Sequence, residues 1–174
     1  SNLKVALSTS NILSLTNGYI FDFQDIINQC ALLNNDQTNI DTLYQEWDNN
    51  PAQPLYANEV ARKIREIILR LADPTPAQGQ AIFPELQNLV IIGEDDSIPF
   101  FRVIDETTIA PEQLYASELG RNQGGTAGLL DPNRPLYGSL FYNFIQTDNY
   151  YSDEQPTPWR GRALYMPDMA TCLL

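Results

Sequence analysis

An unbroken apolar run near the middle of the chain does most to limit how it can fold. Leu89, Val90, Ile91 and Ile92 follow one another, three of the four are β-branched, and Gly93 ends the run. Such a run is typical of a strand that is buried on both faces, as in the middle of a parallel sheet. We therefore predict an α/β domain that is organised around this strand.

Acidic residues follow this strand directly. Glu94, Asp95 and Asp96 come after Gly93, and apolar character resumes with Ile98-Pro-Phe100, so we expect the loop to fold back onto the core. In open α/β sheets, ligands bind beyond the carboxyl ends of the strands. The acidic loop is therefore the first place to expect a binding site.

Helical and extended patterns alternate on both sides of the run. Helical spacing predicts helices from Asp22, around Ile40 to Trp47, and from Asn58 to Ala72, the last carrying an apolar stripe. Further patterns predict a helix at residues 111–119, a helix or strand at 137–145, and extended segments at 3–7, 101–104, 162–166 and 170–174.

This order predicts one α/β domain over residues 3–174, in three layers with a mostly parallel sheet flanked by helices. Ser1 and Asn2 resemble the remnant of a removed tag. The last extended pattern stops within an element, so we expect the domain to be truncated at its C-terminus, as part of a longer protein.

Charge narrows the classes of partner. The chain has 22 acidic and 10 basic residues and a net charge of −12. A nucleic-acid partner or an anionic membrane surface is not expected, because no basic stripe is present that would neutralise phosphates. No apolar run approaches the roughly 20 residues of a membrane span. Divalent cations or basic partners fit the charge better.

Histidine is absent from all 174 residues, and only two cysteines occur, Cys30 and Cys172. A Ser-His-Asp triad or a Cys-His dyad requires an imidazole, so this polypeptide alone builds neither. The two cysteines are also too few and too far apart for a disulfide framework or a zinc site. We expect both to be buried free thiols.

Three carboxylates form the one candidate metal site. Asp95 and Asp96 follow the central strand, and Asp148 lies in a second acidic loop that we expect at the same edge of the sheet. Three close carboxylates need a cation, a basic partner or ample water. Ca²⁺ fits their hard oxygen ligands, although EF-hand spacing is missing. Arg102 and Arg121 are alternative partners. A metal-dependent hydrolase is the weakest functional reading of the same residues.

As an ordered set, three stretches resemble the gingipain-type cysteine peptidases: Leu89-Val-Ile-Ile-Gly-Glu-Asp-Asp-Ser-Ile-Pro99, Thr147-Asp-Asn-Tyr-Tyr151 and Leu164-Tyr-Met-Pro-Asp168. The resemblance covers about residues 86–174 and implies a caspase-like α/β fold of two side-by-side subdomains. This chain would be the first, non-catalytic subdomain, and the catalytic His and Cys would lie beyond residue 174. The resemblance therefore places no catalytic residue in this chain.

The resemblance also implies partners and a location. The partners would be the catalytic subdomain of the same parent chain and the parent's protein or peptide substrate, in an extracellular or cell-surface bacterial protein. One departure is Cys172-Leu173, which stands where the family has Gly-Arg. It supports an alternative, an inactive homologue that serves as an interaction module through an aromatic surface: Tyr137, Phe141, Tyr142, Tyr150, Tyr151 and Trp159.

Overall fold

The computed structural model describes residues 18, 20, 34–72, 83–84, 86–116, 131 and 133–173. The chain divides into two compact units, Ser1–Asn39 and Ile40–Leu174, and the architecture below is that of the second. The predicted strand at residues 3–7, the helix from Asp22, Cys30 and Arg121 all lie outside the described residues. The single domain over residues 3–174 stays a prediction.

Two long helices and one short helix supply most of the helical structure of the described residues. Helix α1 spans Asn34–Asn49, α2 spans Pro54–Ala72 and α3 spans Pro135–Phe141. The predicted helix at 58–72 is confirmed as part of α2, which begins four residues earlier because proline is tolerated in a first helical turn. Residues 112–116 are also helical, and a 3-10 helix spans Asn149–Tyr151. No described helix is long and apolar enough to cross a membrane.

In the described part of the chain, six short strands pair in three separate ladders. They are β1 (Asn88–Ile91), β2 (Phe101–Ile104), β3 (Phe144–Thr147), β4 (Thr157–Trp159), β5 (Arg162–Leu164) and β6 (Ala170–Leu173). Strands β1 and β6 are parallel, whereas β2–β3 and β4–β5 are antiparallel. The predicted mixed α/β class is confirmed. The segment at 137–145, left open as helix or strand, contains most of α3 and the start of β3.

The central run differs from its prediction in one respect: it is buried on one face, not two. Ile91 is 7% exposed, whereas Val90 is 58% and Ile92 44% exposed. Among the described strands, β1 pairs with β6 alone, and its side chains alternate between the core and solvent as in any half-covered strand. Only one of the three described ladders is parallel, so the described strands do not form a mostly parallel sheet.

The core is built on the apolar stripe of α2, which packs against β2, α3 and the 3-10 helix. Of the predicted stripe, Val60, Ile64, Ile67 and Leu71 are buried, whereas Ile68 is only half-buried. Complete burial of one such side chain stabilises the fold by about 1.5–3 kcal/mol. The stripe therefore brings together the elements that carry the acidic loops.

Candidate functional site

The loop after β1 is held by one of its own acidic side chains. Asp95 Oδ1 accepts the Phe100 N–H at 2.9 Å, and Oδ2 accepts Arg102 Nη2 at 2.7 Å and Gln146 Nε2 at 2.8 Å. Both carboxylate oxygens are therefore occupied by donors from the fold. Asp95 closes the loop onto β2 and β3, which is a structural task.

Arg102 is the partner of Asp95 and has no exposed side-chain surface. Its Nε donates to Ser139 Oγ at 3.2 Å, and its Nη1 donates to the Phe100 carbonyl. Burial lowers the pKa of Arg102, while the Asp95 carboxylate acts in the opposite direction. A guanidinium stays protonated at neutral pH despite such a shift. The result is a buried ion pair that joins the acidic loop, β2 and α3.

Asn58 completes this network and was not identified from the sequence, where it marked only a helix start. Its Nδ2 donates to the Arg102 carbonyl at 2.9 Å, and its Oδ1 accepts the Arg102 N–H at 2.7 Å. The side chain thus pairs with β2 as a neighbouring strand would. The sequence did contain a signal, since Asn58 lies next to Ala57 and near Ala61 on the side of α2 that is buried. A buried amide needs hydrogen-bond partners, so an asparagine at such a position indicates a polar contact.

Asp96 lies on the outer side of the same loop. Its Oδ2 accepts Arg134 Nη1 at 2.7 Å, and the two side chains are 41% and 52% exposed. The pair lines an open cavity of about 390 Å³ with Trp47, Asp48, Pro51, Asn133 and Pro135. Among the described lining residues there is no Ser, Cys or His, so these residues do not form a hydroxyl or thiol nucleophile with an imidazole base.

Asp148 precedes the 3-10 helix, where its carbonyl accepts the Tyr151 N–H at 3.0 Å. Its side chain makes no capping hydrogen bond. Within the described part of the chain, no group of three His, Cys, Asp or Glu side chains is placed to hold a metal ion. The calcium site at Asp95, Asp96 and Asp148 stays a prediction. The carboxylates of Asp95 and Asp96 are already paired with arginines.

Thermal unfolding separates the calcium and arginine alternatives. If Ca²⁺ binds, millimolar ion raises the melting temperature of chelator-treated protein by mass action, and Asp148→Asn removes the rise. Because Asp95 and Asp96 already pair with Arg102 and Arg134, we expect the melting curve to stay unchanged. A rise that Asp148→Asn abolishes would contradict this expectation and restore the metal site.

Tyrosines join the second acidic loop to the first. The Tyr151 hydroxyl donates to the Pro99 carbonyl, and the ring of Tyr150 stacks on Phe101 with centroids 3.8 Å apart. Tyr151 is fully buried, and that burial raises its pKa well above the usual value, so its hydroxyl remains a donor at neutral pH. The two loops are thus connected by direct side-chain contacts.

The third stretch of the sequence resemblance joins the same unit. The Asp168 N–H donates to the Ser152 carbonyl at 2.9 Å, and Asp168 Oδ2 accepts the Glu154 N–H at 2.8 Å. In return, Asp153 Oδ2 accepts the Met166 N–H at 2.6 Å. The residues around the 3-10 helix and those before β6 therefore hold each other by reciprocal bonds.

Asp105 follows β2 directly, and its hydrogen bonds are those of a turn residue. It is 5% exposed; Oδ1 accepts the Thr107 N–H and Oδ2 accepts the Glu112 N–H, each at 2.8 Å. The N–H of Thr107 and then that of Glu112 lower the pKa of Asp105. The carboxylate therefore holds residues 105–112 in place and caps the helical segment that follows.

The stability that Asp105 contributes should depend on pH. A carboxylate whose pKa is lower in the folded state stabilises the fold above its unfolded-state pKa of about 3.9, and the contribution disappears as pH falls through the folded-state pKa. We expect Asp105→Asn to lower the unfolding free energy at pH 7 and to differ less from the wild type in more acidic solution. Urea denaturation at stepped pH measures this, and a pH-independent difference would contradict it.

Five of the six aromatic residues predicted to share one surface divide into two groups, and the sixth, Tyr137, is half-buried with its ring stacked on Phe141. Tyr150 and Tyr151 are core residues at 5% and 0% exposure. Phe141, Tyr142 and Trp159 remain more than two-fifths exposed. The burial of the two tyrosines follows from their contacts with Phe101 and Pro99. Only the second group is available to a partner.

The cysteines add no catalytic pair. Cys172 lies on β6 in register with Val90 of β1, Cys30 lies outside the described residues, and the sequence contains no histidine. No family model, curated protein or solved structure matches the chain. The contacts described above are therefore the basis for any assignment of function.

Proposed function

We propose that this chain is the non-catalytic first subdomain of a gingipain-like cysteine peptidase module. In this proposal the fold is completed into a three-layer, caspase-like arrangement with a mostly parallel sheet. The catalytic His and Cys belong to another part of the parent polypeptide, and this chain supports that part. The partners are the catalytic subdomain and the peptide substrate of the parent.

The observation that carries the proposal is that the three resembling stretches contact one another. Pro99 of the first stretch accepts the Tyr151 hydroxyl of the second, and the Tyr165 ring of the third lies edge-on to Tyr150 of the second, with ring centroids 5.0 Å apart. The parallel pairing of β1 with β6 also suits an α/β layer. The shared motif residues thus act as scaffold residues, which is the role that a supporting subdomain requires.

The chemistry of the side chains supports a scaffold as well. Asp95 and Asp96 are paired with arginines, and the Asp105 carboxylate accepts hydrogen bonds from backbone N–H groups. General acid–base catalysis needs a group whose protons exchange near neutral pH, which histidine most often supplies. In this proposal the histidine is supplied by another part of the parent polypeptide.

A longer polypeptide tests this proposal. The chain extended through the following part of its parent, by about one domain length, is expected to hydrolyse fluorogenic peptides in a thiol-dependent manner. The extension expressed alone is expected to be less soluble or less active, because it lacks its support. An extended protein that folds but shows no thiol-dependent turnover would contradict the peptidase proposal.

A second candidate is an inactive homologue that binds other proteins. Cys172-Leu173 at the place of the family's Gly-Arg favours it, as do the exposed rings of Phe141, Tyr142 and Trp159. The parent sequence separates the two candidates. A strand-ending His and a strand-ending Cys in the following part favour the peptidase, whereas the absence of either favours the interaction module.

A further inference from the structure

The hairpin formed by β4 and β5 stands out because both of its strands are exposed. All six strand residues, Thr157–Trp159 and Arg162–Leu164, are exposed. Trp159 pairs with Arg162 across a two-residue turn of Arg160 and Gly161, whose φ angles are 48° and 80°. Two positive φ angles fit a type I′ turn, whose twist matches that of the flanking strands. An isolated two-stranded hairpin of this kind is only marginally stable in water.

One face of the hairpin combines apolar and cationic groups. Residues opposite each other in an antiparallel ladder point to the same face, so Trp159, Arg162 and Leu164 share one face. Trp159 is 58% and Leu164 42% exposed. The Arg160 guanidinium lies 5.6 Å from the centre of the Trp159 ring, within cation–π range. Tryptophan and arginine are the residues most enriched at binding hot spots.

The turn has an arginine at a position where the backbone conformation favours glycine or asparagine. A φ of 48° at Arg160 lies in the left-handed region, which is unfavourable for a residue with a long side chain. Glycine at the same position would relieve this cost. Such local cost is common where a side chain has a function. The side chain at this unfavourable position is a cation that lies beside the exposed Trp159.

The charge of the hairpin indicates the chemistry of its partner. The chain carries −12 overall, yet two of its ten basic residues lie at this one tip. Arg162 Nη2 contacts Glu106 Oε1 at 2.8 Å, and its side chain is still 44% exposed, so further N–H donors face solvent. Guanidinium groups bind carboxylates in a bidentate manner. Glu106 offsets the charge of Arg162, so Arg160 supplies the positive charge of the tip, and at 0.15 M salt, where the Debye length is about 8 Å, distant acids are largely screened from it.

We propose that the β4–β5 hairpin is a docking surface for an acidic, extended segment of a partner protein. Carboxylates of the segment bind Arg160 and Arg162, and an apolar side chain between them packs on Trp159 and Leu164. This docking proposal is independent of the peptidase proposal, because it rests only on the exposed residues of the hairpin. It holds whether or not the chain supports a catalytic subdomain. It also specifies the surface that an interaction module would use.

The experiment uses fluorescence anisotropy with a labelled peptide that alternates glutamate and leucine, and the same peptide with glutamine in place of glutamate. We expect the glutamate peptide to bind several-fold more tightly than the glutamine peptide, and added salt to weaken it. Arg160→Gly is the decisive variant, since glycine suits the turn and only the guanidinium is lost. It should weaken binding about threefold to fivefold, as expected for an exposed ion pair.

Two further variants complete the design. Trp159→Ala should weaken binding about tenfold, as for a hot-spot residue. Arg62→Ala is the charge-matched control, because Arg62 is an exposed arginine paired with Glu59 on α2; it should leave binding unchanged. Equal affinity for both peptides, equal loss in Arg62→Ala and Arg160→Gly, or tighter binding of a single-stranded oligonucleotide of matched charge would each overturn the proposal.

Discussion

Replacing Arg102 by methionine is expected to lower the free energy of unfolding by about 3–5 kcal/mol, the usual cost of removing one member of a buried ion pair. Methionine fills part of the space, but the Phe100 carbonyl loses its guanidinium donor, and the Asp95 carboxylate keeps only the neutral donors Gln146 Nε2 and the Phe100 N–H, so its charge is left without a cation. Unpaired groups of this kind pay their full desolvation cost. Urea denaturation at neutral pH, followed by circular dichroism, measures the change.

Arg134→Met is the matched control for this prediction. Arg134 also pairs with an aspartate of the same loop, at the same distance of 2.7 Å, but its side chain is 52% exposed. Exposed ion pairs stabilise proteins by about 1 kcal/mol or less, because water competes for both groups. If the two variants lost equal stability, the buried network around Arg102 would not be what holds the acidic loop.

Gly138→Ala is expected to destabilise the fold by about 3 kcal/mol, the upper part of the usual range for overpacking. A Cβ added at Gly138 would lie 1.9 Å from the Ala52 carbonyl oxygen, so the backbone of α3 or of the turn before α2 has to move. Helix propensity alone predicts the opposite sign, a gain of about 1 kcal/mol for alanine. The sign of the measured change therefore reports directly on this contact.

Gly93→Ala is the control for the second prediction. A Cβ there would lie 3.1 Å from Ile98 Cδ1, the end of a flexible side chain that is able to rotate away. We expect a cost below about 1 kcal/mol, since volume changes that a side chain absorbs are tolerated best. A stabilising effect of Gly138→Ala would mean that α3 does not pack on the turn at residues 50–53.

Sequence patterns predicted the elements whose cause is local. The stripe of Val60, Ile64, Ile67, Ile68 and Leu71 predicted α2 from its second turn onward, and the run at 89–92 predicted β1 to within one residue at each end. The pattern at 170–174 is observed as β6, whose parallel pairing with β1 agrees with the predicted type of strand. These signals repeat with the period of a helix or a strand, so they can be recognised without knowledge of distant residues.

The missed features depend on residues that are far apart in the chain. Asn58 is 44 positions from Arg102, and the contact between Gly138 and Ala52 joins α3 to the turn before α2. The exposure of Val90 and Ile92 likewise depends on which strands lie beside β1, not on the composition of the run. The period of a helix or strand carries no information about such distant contacts. For the acidic loop, the sequence offered Arg102 and Arg121 as candidate partners, and Arg102 is the one observed to pair with Asp95.

The candidate metal site shows the same limit. Asp95, Asp96 and Asp148 attract attention in the sequence because carboxylates after strands are typical of binding sites. In the fold, Asp95 turns inward to Arg102 and Asp96 outward to Arg134. A short run of acidic residues does not distinguish inward from outward side chains, since the turn itself decides their directions.

The most direct test of the proposed function is a peptidase assay on the purified chain itself. A panel of fluorogenic peptides is incubated with the wild type and with Cys30→Ala and Cys172→Ala, with and without a thiol-reactive inhibitor. The proposal predicts that wild type and both variants show no turnover above buffer, because no histidine activates either thiol. Turnover by the wild type that the inhibitor blocks and one cysteine variant abolishes would contradict it.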